Sequence, residues 1–346
     1  MTITSRPYGA LPSGEPVKLF TLTNERGMTV SITDFGGIVV SIEVPDRNGI
    51  LADVVLGKPD FAGYFAGHPH MGAIAGRVAG RLTGGRFTLD GVDYQLALNN
   101  GANHLHGGLK GFDKELWLSS VITEDGQEKL RLRHRDLDGA NGYPGNVDCQ
   151  VDYAVTSDNE LRIDYQFVTD KATPLVVTNH SYFNLKGQGE GQILDHEVQI
   201  FAHECALADD EMTLLSKKVL VDGTASDFRE PAVIGDRVDR LHQGHGDGYF
   251  LPDGRTIEPR LVARVREAHT GRVLETLTTE PYIQFYTGSQ MEEGEPGKTG
   301  SYGKHSAFCL EAQEYPDAVN APDLGVGVLR PGEDFRSTTI YRFSAE

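Results

Sequence analysis

Apolar residues recur at every second position along most of this chain, and no segment holds a helical apolar period over three turns. Met28, Val30 and Ile32 alternate with Thr29, Ser31 and Thr33, and Val40, Ile42 and Val44 alternate with Ser41 and Glu43. The pattern returns at Leu130 to Arg133, at Val147 to Tyr153, and at Leu161, Ile163, Tyr165 and Phe167, with Arg162, Asp164 and Gln166 facing water. Such alternation buries one side of an extended strand and wets the other. Asp90-Gly91, Asp46-Arg47-Asn48-Gly49 and Ser157-Asp158-Asn159 fall between these runs as hairpin turns. The best short helical candidate is Ile234 to Leu241. The pattern therefore predicts an all-β fold, a large antiparallel β-sandwich with few short helices. Its 346 residues show no composition break, linker or repeat, so residues 1–346 read as a single domain, with Glu292 to Gly300 as a mobile loop.

Composition narrows the partners. Lys and Arg number 32 against 50 Asp and Glu, and the resulting formal charge of −18 repels phosphate backbones and anionic membranes. Nucleic acid and membrane partners are not expected, and phosphorylated substrates are disfavoured. Cys149, Cys205 and Cys309 show no paired metal-ligand spacing and read as reduced core residues. The segment Met1 to Pro7 lacks an apolar leader, and no run reaches membrane-spanning length, so a cytoplasmic location is expected.

Six stretches carry chemistry. Asn103-His104-Leu105-His106-Gly107-Gly108 puts two imidazoles on one face of a strand, a spacing that suits a metal but needs further ligands; glycines there also let a ligand approach the backbone. His68 and His70 repeat the spacing, but Pro69 breaks the ladder and makes them loop residues. The arginines of Gly76-Arg77-Val78-Ala79-Gly80-Arg81 either fork toward hydroxyls or a carboxylate or sit solvated. His180, within Thr178-Asn179-His180-Ser181-Tyr182-Phe183-Asn184-Leu185, has polar neighbours that can fix its tautomer, which suits a general acid as well as a structural histidine. Glu311 follows the apolar run Ala307 to Leu310, where desolvation raises the basicity of a carboxylate. Glu314 has the opposite parity and reads as a surface charge, and Asp247 in Gly246-Asp247-Gly248 reads as a turn residue or a ligand's hydroxyl acceptor.

Taken in order, Phe35-Gly36-Gly37-Ile38, Val44-Pro45-Asp46-Arg47, Gly76-Arg77-Val78-Ala79, Leu105-His106-Gly107-Gly108, Asn179 to Leu185, Gln284-Phe285-Tyr286-Thr287-Gly288 and Leu310-Glu311-Ala312-Gln313 resemble the aldose 1-epimerases, also called galactose mutarotases. The resemblance spans nearly the whole chain. It implies a mutarotase-like supersandwich with an open cleft, a free monosaccharide substrate such as glucose or galactose, no metal or organic cofactor, and a monomer or weak homodimer. By the same resemblance His180 is the general acid and Glu311 the general base, His106 holds the ring-oxygen region, and Arg81, Tyr182, Asp247 and Gln284 bind hydroxyls. Three positions depart from the family pattern: Gly80 stands where asparagine is frequent, Gly248 where histidine is common, and Leu214 to Lys218 lacks a Pro-Thr-Gly turn. They bear on sugar preference more than on the reaction. Competing readings are a carbohydrate-binding or sensing module without turnover, a metal-dependent β-barrel enzyme using His104 and His106, and a phosphosugar epimerase.

Overall fold

Three antiparallel sheets share one hydrophobic core in the computed structural model, which describes every residue except 125 and 211 and, at Gln243, the backbone alone. The first sheet is a meander of Thr2–Ala10, Pro16–Thr23, Thr29–Thr33, Val39–Pro45 and Leu51–Asp53. A nine-stranded sheet follows, running spatially from Leu118–Glu124 through Gln127–Asp136, Val147–Val155 and Glu160–Thr169 to the last strand, Phe335–Ala345. It continues through Arg272–Thr278, Arg260–Arg266, Glu197–Ile200 and Ala232–Val233. The third sheet has the order Leu214–Leu220, Glu204–Ala208, Gly248–Phe250, Tyr282–Tyr286, Cys309–Gln313.

The alternation read from the sequence is the alternation of burial. Val30 and Ile32 from the first sheet, Val151 and Ile163 from the second, and Ile283, Phe285 and Leu310 from the third meet in the same core. Each such side chain contributes about 1.5–3 kcal/mol on burial, an upper bound because an unfolded chain is itself partly collapsed. The expected turn at Asp90-Gly91 closes a two-residue hairpin with both residues at positive φ, 51° and 78°. Helix is scarce, as expected. Ile234 to Leu241 is not one helix, however, but the two 3-10 turns Ile234–Asp236 and Val238–Arg240; the sole α-helix among the described residues is Phe61–Ala66, capped by Asp60. Among the described residues no helix is long and apolar enough to cross a membrane.

Period two also positions the site. In Tyr282–Tyr286, Ile283 and Phe285 point into the core, so Tyr282, Gln284 and Tyr286 take the opposite face; in Cys309–Gln313, Leu310 goes to the core and Glu311 to that same outer face. Antiparallel register sets Gln284 across from Glu311 on one side and from Gly248 on the other, a row of three across the sheet. Loops from the other parts of the chain close over this face.

Candidate active site

The seven residues singled out from the sequence, Arg81, His106, His180, Tyr182, Asp247, Gln284 and Glu311, line one cavity of about 210 Å³. His180 reaches it from a segment clamped on both sides. Thr178–Asn179 pairs with Ile74–Ala75, the His180 amide donates to the Ala73 carbonyl, and the Thr178 hydroxyl donates to the Ala312 carbonyl, beside Glu311. Asn179 turns its amide to the Gly72 carbonyl and accepts from the Ser181 hydroxyl at 2.7 Å. Tyr182 stacks on the His180 ring at 4.9 Å and 17° between planes. The polar density around His180 thus fixes the backbone, and the tyrosine fixes the ring.

Its Nε2 lies 3.5 Å from Glu311 Oε2. Both groups are buried, and burial penalises whichever form carries charge. The His180 pKa is lowered to about 3, by burial first and by His70 second, while burial raises Glu311 to about 8 against the opposing pull of Arg81. At neutral pH the pair therefore holds one proton, and it sits on the carboxyl. With His180 assigned as the acid and Glu311 as the base, the resting proton thus stands on the base, because burial leaves neither charged form solvated.

Arg81 enters on a short ladder in which it pairs with Leu105, and its Nε donates to Asn100 Oδ1 at 2.9 Å, which leaves the rest of the guanidinium to the cavity. His106 follows with φ at +49°, and Gly107 at +84°. The glycine there does not make room for a ligand, as its position in the sequence suggested. A Cβ on Gly107 would stand 1.8 Å from the Gly76 carbonyl oxygen, so the residue is required by backbone packing inside the protein. Gly80 donates its N–H to His106 Nδ1 at 3.1 Å, which puts the proton of the neutral ring on Nε2, toward the cavity. Gly80 itself has φ at +76°, and a Cβ there would stand 2.6 Å from the Pro316 side chain, so a larger residue is strained at this position.

Asp247 accepts from the Ser226 hydroxyl, and burial lifts its pKa above the usual carboxylate range despite that bond. It is a half-buried residue of the cavity lining. A side chain at Gly248 would coincide with the Tyr282 hydroxyl, and an imidazole enters instead from His245, whose ring lies 4.5 Å from that of Tyr286. The segment Leu214 to Lys218 is strand rather than turn, and Leu214 joins Ala206, Ala208, Met212 and Met291 in an apolar wall across from the polar groups.

Other expectations resolve as structure. His104 does not share a face with His106: its Nδ1 donates to the Ala97 carbonyl at 2.8 Å and its Nε2 accepts from Tyr143 at 2.7 Å. Arg77 is buried and forks onto Asp136 and the carbonyls of Pro144 and Gly145, whereas Arg81 serves the cavity. Glu314 is no surface charge; it is 4% exposed, lies 3.6 Å from Arg255 and accepts from the Tyr315 amide at 2.9 Å. Glu292 to Gly300 is tied down by the hairpin of Glu295–Pro296 with Ser301–Tyr302 and by the Lys58–Glu295 ion pair. All three cysteines are buried, unpaired thiols whose pKa burial raises, Cys205 to about 12.

His106, His180 and Glu311 each bring one ligand atom within 4.8 Å of the others, the spacing a divalent ion asks for. The donor set does not fit one. Ligation through His106 Nε2 would move the ring proton to Nδ1, where it would face the Gly80 N–H donor to donor. With its proton on Nε2, His106 is instead built to donate to an oxygen in the cavity. Three further imidazoles, His70, His242 and His245, line the cavity without having been assigned to it from sequence. His70 was visible as a spaced pair with His68 but was set aside because of Pro69, and His245 lies in a glycine-rich turn that carries no pattern.

Comparison with known proteins points one way. The family model described as Aldose 1-epimerase matches residues 18–342. The galactose mutarotase of Bos taurus is 43% identical over 346 residues, covering 99% of each chain, and the aldose 1-epimerase of Escherichia coli K12 is 34% identical over 97% of each. Among solved structures, the galactose 1-epimerase of Lactobacillus acidophilus NCFM superimposes with a TM-score of 0.85 at 26% identity over 99% of both chains, and an aldose epimerase homologue from C. elegans with 0.86 at 26% identity over 94% of this chain and 98% of that one.

Proposed function

The chain belongs to the aldose 1-epimerase family, and from that premise we propose that His180 and Glu311 are the acid and base of its reaction, with Arg81, His106, Tyr182, Asp247 and Gln284 holding the sugar. The reaction is mutarotation, the interconversion of the α and β anomers of a free aldose. A hemiacetal opens when the anomeric hydroxyl loses its proton and the ring oxygen gains one. Those two oxygens sit on the same carbon, so an acid and a base serving them must be neighbours, and the 3.5 Å between His180 Nε2 and Glu311 Oε2 is the observation that carries the assignment.

Sugar hydroxyls shift the balance of this buried pair. Hydroxyls donating to Glu311, with Arg81 beside it, favour the carboxylate, and the shared proton passes to His180. Glu311 then takes the proton of the anomeric hydroxyl while His180 gives its proton to the ring oxygen; the C1–O5 bond breaks and C1 becomes a carbonyl. Rotation about C1–C2 presents the other face. The new hydroxyl attacks it, returning its proton to His180 as Glu311 re-protonates the carbonyl oxygen, so the cycle ends as it began. His106 donates toward the ring-oxygen region and Tyr182 keeps the His180 ring in plane.

The whole chain acts as one domain in this reading, and a cytoplasmic monomer or weak homodimer working on free sugars needs no cofactor for these transfers. The experiment is anomer exchange followed by NMR or polarimetry with α-glucose and α-galactose. General acid–base groups contribute about 10²–10⁴-fold each, so Glu311→Gln and His180→Asn are expected to lose turnover by that order while melting no lower than the parent protein. Near-normal exchange in either variant overturns the assignment. Sugar binding without exchange in the parent protein would mark a binding module instead.

A further inference from the structure

Strand Cys309–Gln313 turns two polar side chains to the cavity, and the reaction described above uses one of them. Glu311 and Gln313 stand two residues apart, so period two gives them the same face, and both line the cavity. Gln313 is 1% exposed, and its Oε1 is buried without a hydrogen-bond partner among the described residues. Buried amide oxygens ordinarily find a donor, so one left without calls for an explanation. The glutamine of the neighbouring strand has its partners: Gln284 Oε1 accepts from the Tyr282 hydroxyl at 3.4 Å, and its Nε2 donates to the Phe285 carbonyl at 3.2 Å.

The backbone beneath Gln313 is fixed from both sides. Tyr282 pairs with it across the sheet. On the other edge, where the sheet ends, the Tyr341 hydroxyl donates to the Leu310 carbonyl at 3.0 Å and the Thr178 hydroxyl to the Ala312 carbonyl at 2.9 Å. Over the side chain stands Gly80, where a Cβ would come within 3.4 Å of Gln313 Nε2, so glycine at that position keeps a further side chain off the amide. Gly80, Pro316 and Gln313 together form one corner of the cavity lining.

A primary amide offers an acceptor and two donors in one plane, which matches two neighbouring sugar hydroxyls, each able to donate and to accept. Two residues of extended strand set Gln313 about 6–7 Å along from Glu311. With the Glu311 carboxyl at the anomeric oxygen, that span passes C2 and falls on the hydroxyls across the ring. Resting on the assignment of His180 and Glu311 made above, we propose that Gln313 is a specificity-determining residue of the sugar site, which holds the C3–C4 diol of the aldose through its side-chain amide. Glucose and galactose differ at C4, yet both present a gauche pair of hydroxyls there. The contact therefore selects for the presence of the diol and admits either epimer.

The test couples the residue to the hydroxyl. Anomer exchange of glucose and of 2-deoxy-, 3-deoxy- and 4-deoxyglucose is measured in the parent protein and in Gln313→Met, which keeps the length of the side chain. The variant is expected to lose roughly five- to tenfold in kcat/KM on glucose and 2-deoxyglucose, chiefly through KM, and about twofold or less on at least one of the 3-deoxy and 4-deoxy sugars, whose contact is already gone. It is also expected to melt no lower than the parent protein, because it removes a buried oxygen that has no partner, whereas a structural glutamine would lower the melt without telling the sugars apart. An equal loss on all four sugars, a loss cancelled only on 2-deoxyglucose, or no loss on glucose overturns the proposal. Where Gln313→Met does not fold, ¹⁵N NMR of the Gln313 side-chain amide in the parent protein decides: saturating glucose must shift its signal more than 3-deoxy- or 4-deoxyglucose does, and a signal that glucose leaves unmoved overturns the proposal. The same titration in Glu311→Gln reads the contact without turnover, so failure of the acid–base assignment and failure at Gln313 are told apart.

Discussion

A carboxyl held at about 8 beside an imidazole held at about 3 makes the catalytic pair a poor place for charge until a sugar arrives. The consequence for rate is a plateau with reversed limbs. In kcat/KM, which reports the free enzyme, the alkaline limb belongs to Glu311, as the pair loses its only proton above about pH 8, and the acid limb to His180, which takes a second proton near pH 3 unless unfolding comes first. A profile whose alkaline limb is absent below pH 10 or so contradicts this order. Stability carries the same signature. An unfolded Glu ionises near 4.5 and the folded one near 8, so between these values the folded chain binds a proton that the unfolded chain lacks, and stability falls as pH rises by up to about 1.4 kcal/mol per unit. Glu311→Gln removes that loss, and its melting advantage over the parent protein is expected to be larger at pH 8 than at pH 5; equal advantages at both would show that the carboxyl is not buried neutral.

At the scale of elements, the site depends on turns that the alternation of strands does not encode. The turn at His106 to Gly108 is the clearest case, since Gly107 combines φ at +84° with a backbone contact that admits no Cβ. Gly107→Ala is expected to cost about 2–3 kcal/mol or more, from backbone strain and overpacking together, and to raise KM because His106 moves with the turn. Gly49→Ala is the matched control: φ is +79° but no atom stands within 4 Å of its Cβ, so about 1 kcal/mol is expected from strain alone, with KM unchanged. Equal losses in thermal melts would mean that the Gly76 carbonyl yields. The same contrast explains what could be read in advance. Period two placed Ile283 and Phe285 in the core and Glu311 on the opposite face because the signal is local to one strand. Whether His70 or His104 faces the cavity, or Glu314 faces water, depends on loops and neighbouring strands that meet only in three dimensions. His104 and His106 looked equivalent in spacing, and one left-handed residue separates their fates.

For the whole molecule, net charge is the property that acts at a distance. The formal charge is −18, whereas the cavity itself sets the guanidinium of Arg81 among neutral and polar groups beside Asp247. A free aldose is neutral and feels none of the long-range field, so its kcat/KM is expected to stay flat as salt is raised. A sugar phosphate carries about two negative charges toward a negative body, and among the described residues of the cavity lining Arg81 is the one arginine and no lysine takes part. Its kcat/KM is therefore expected to lie at least about tenfold below that of the free sugar at low ionic strength, and to climb as salt screens the repulsion over a Debye length that shrinks from about 30 Å at 0.01 M to about 8 Å at 0.15 M. Anomer exchange of glucose and glucose 6-phosphate across that range measures both trends. A phosphorylated sugar turned over as fast as the free one, or a rate for it that falls as salt rises, would mean that the local field of Arg81 dominates the molecule's overall charge and that the substrate class is phosphorylated after all.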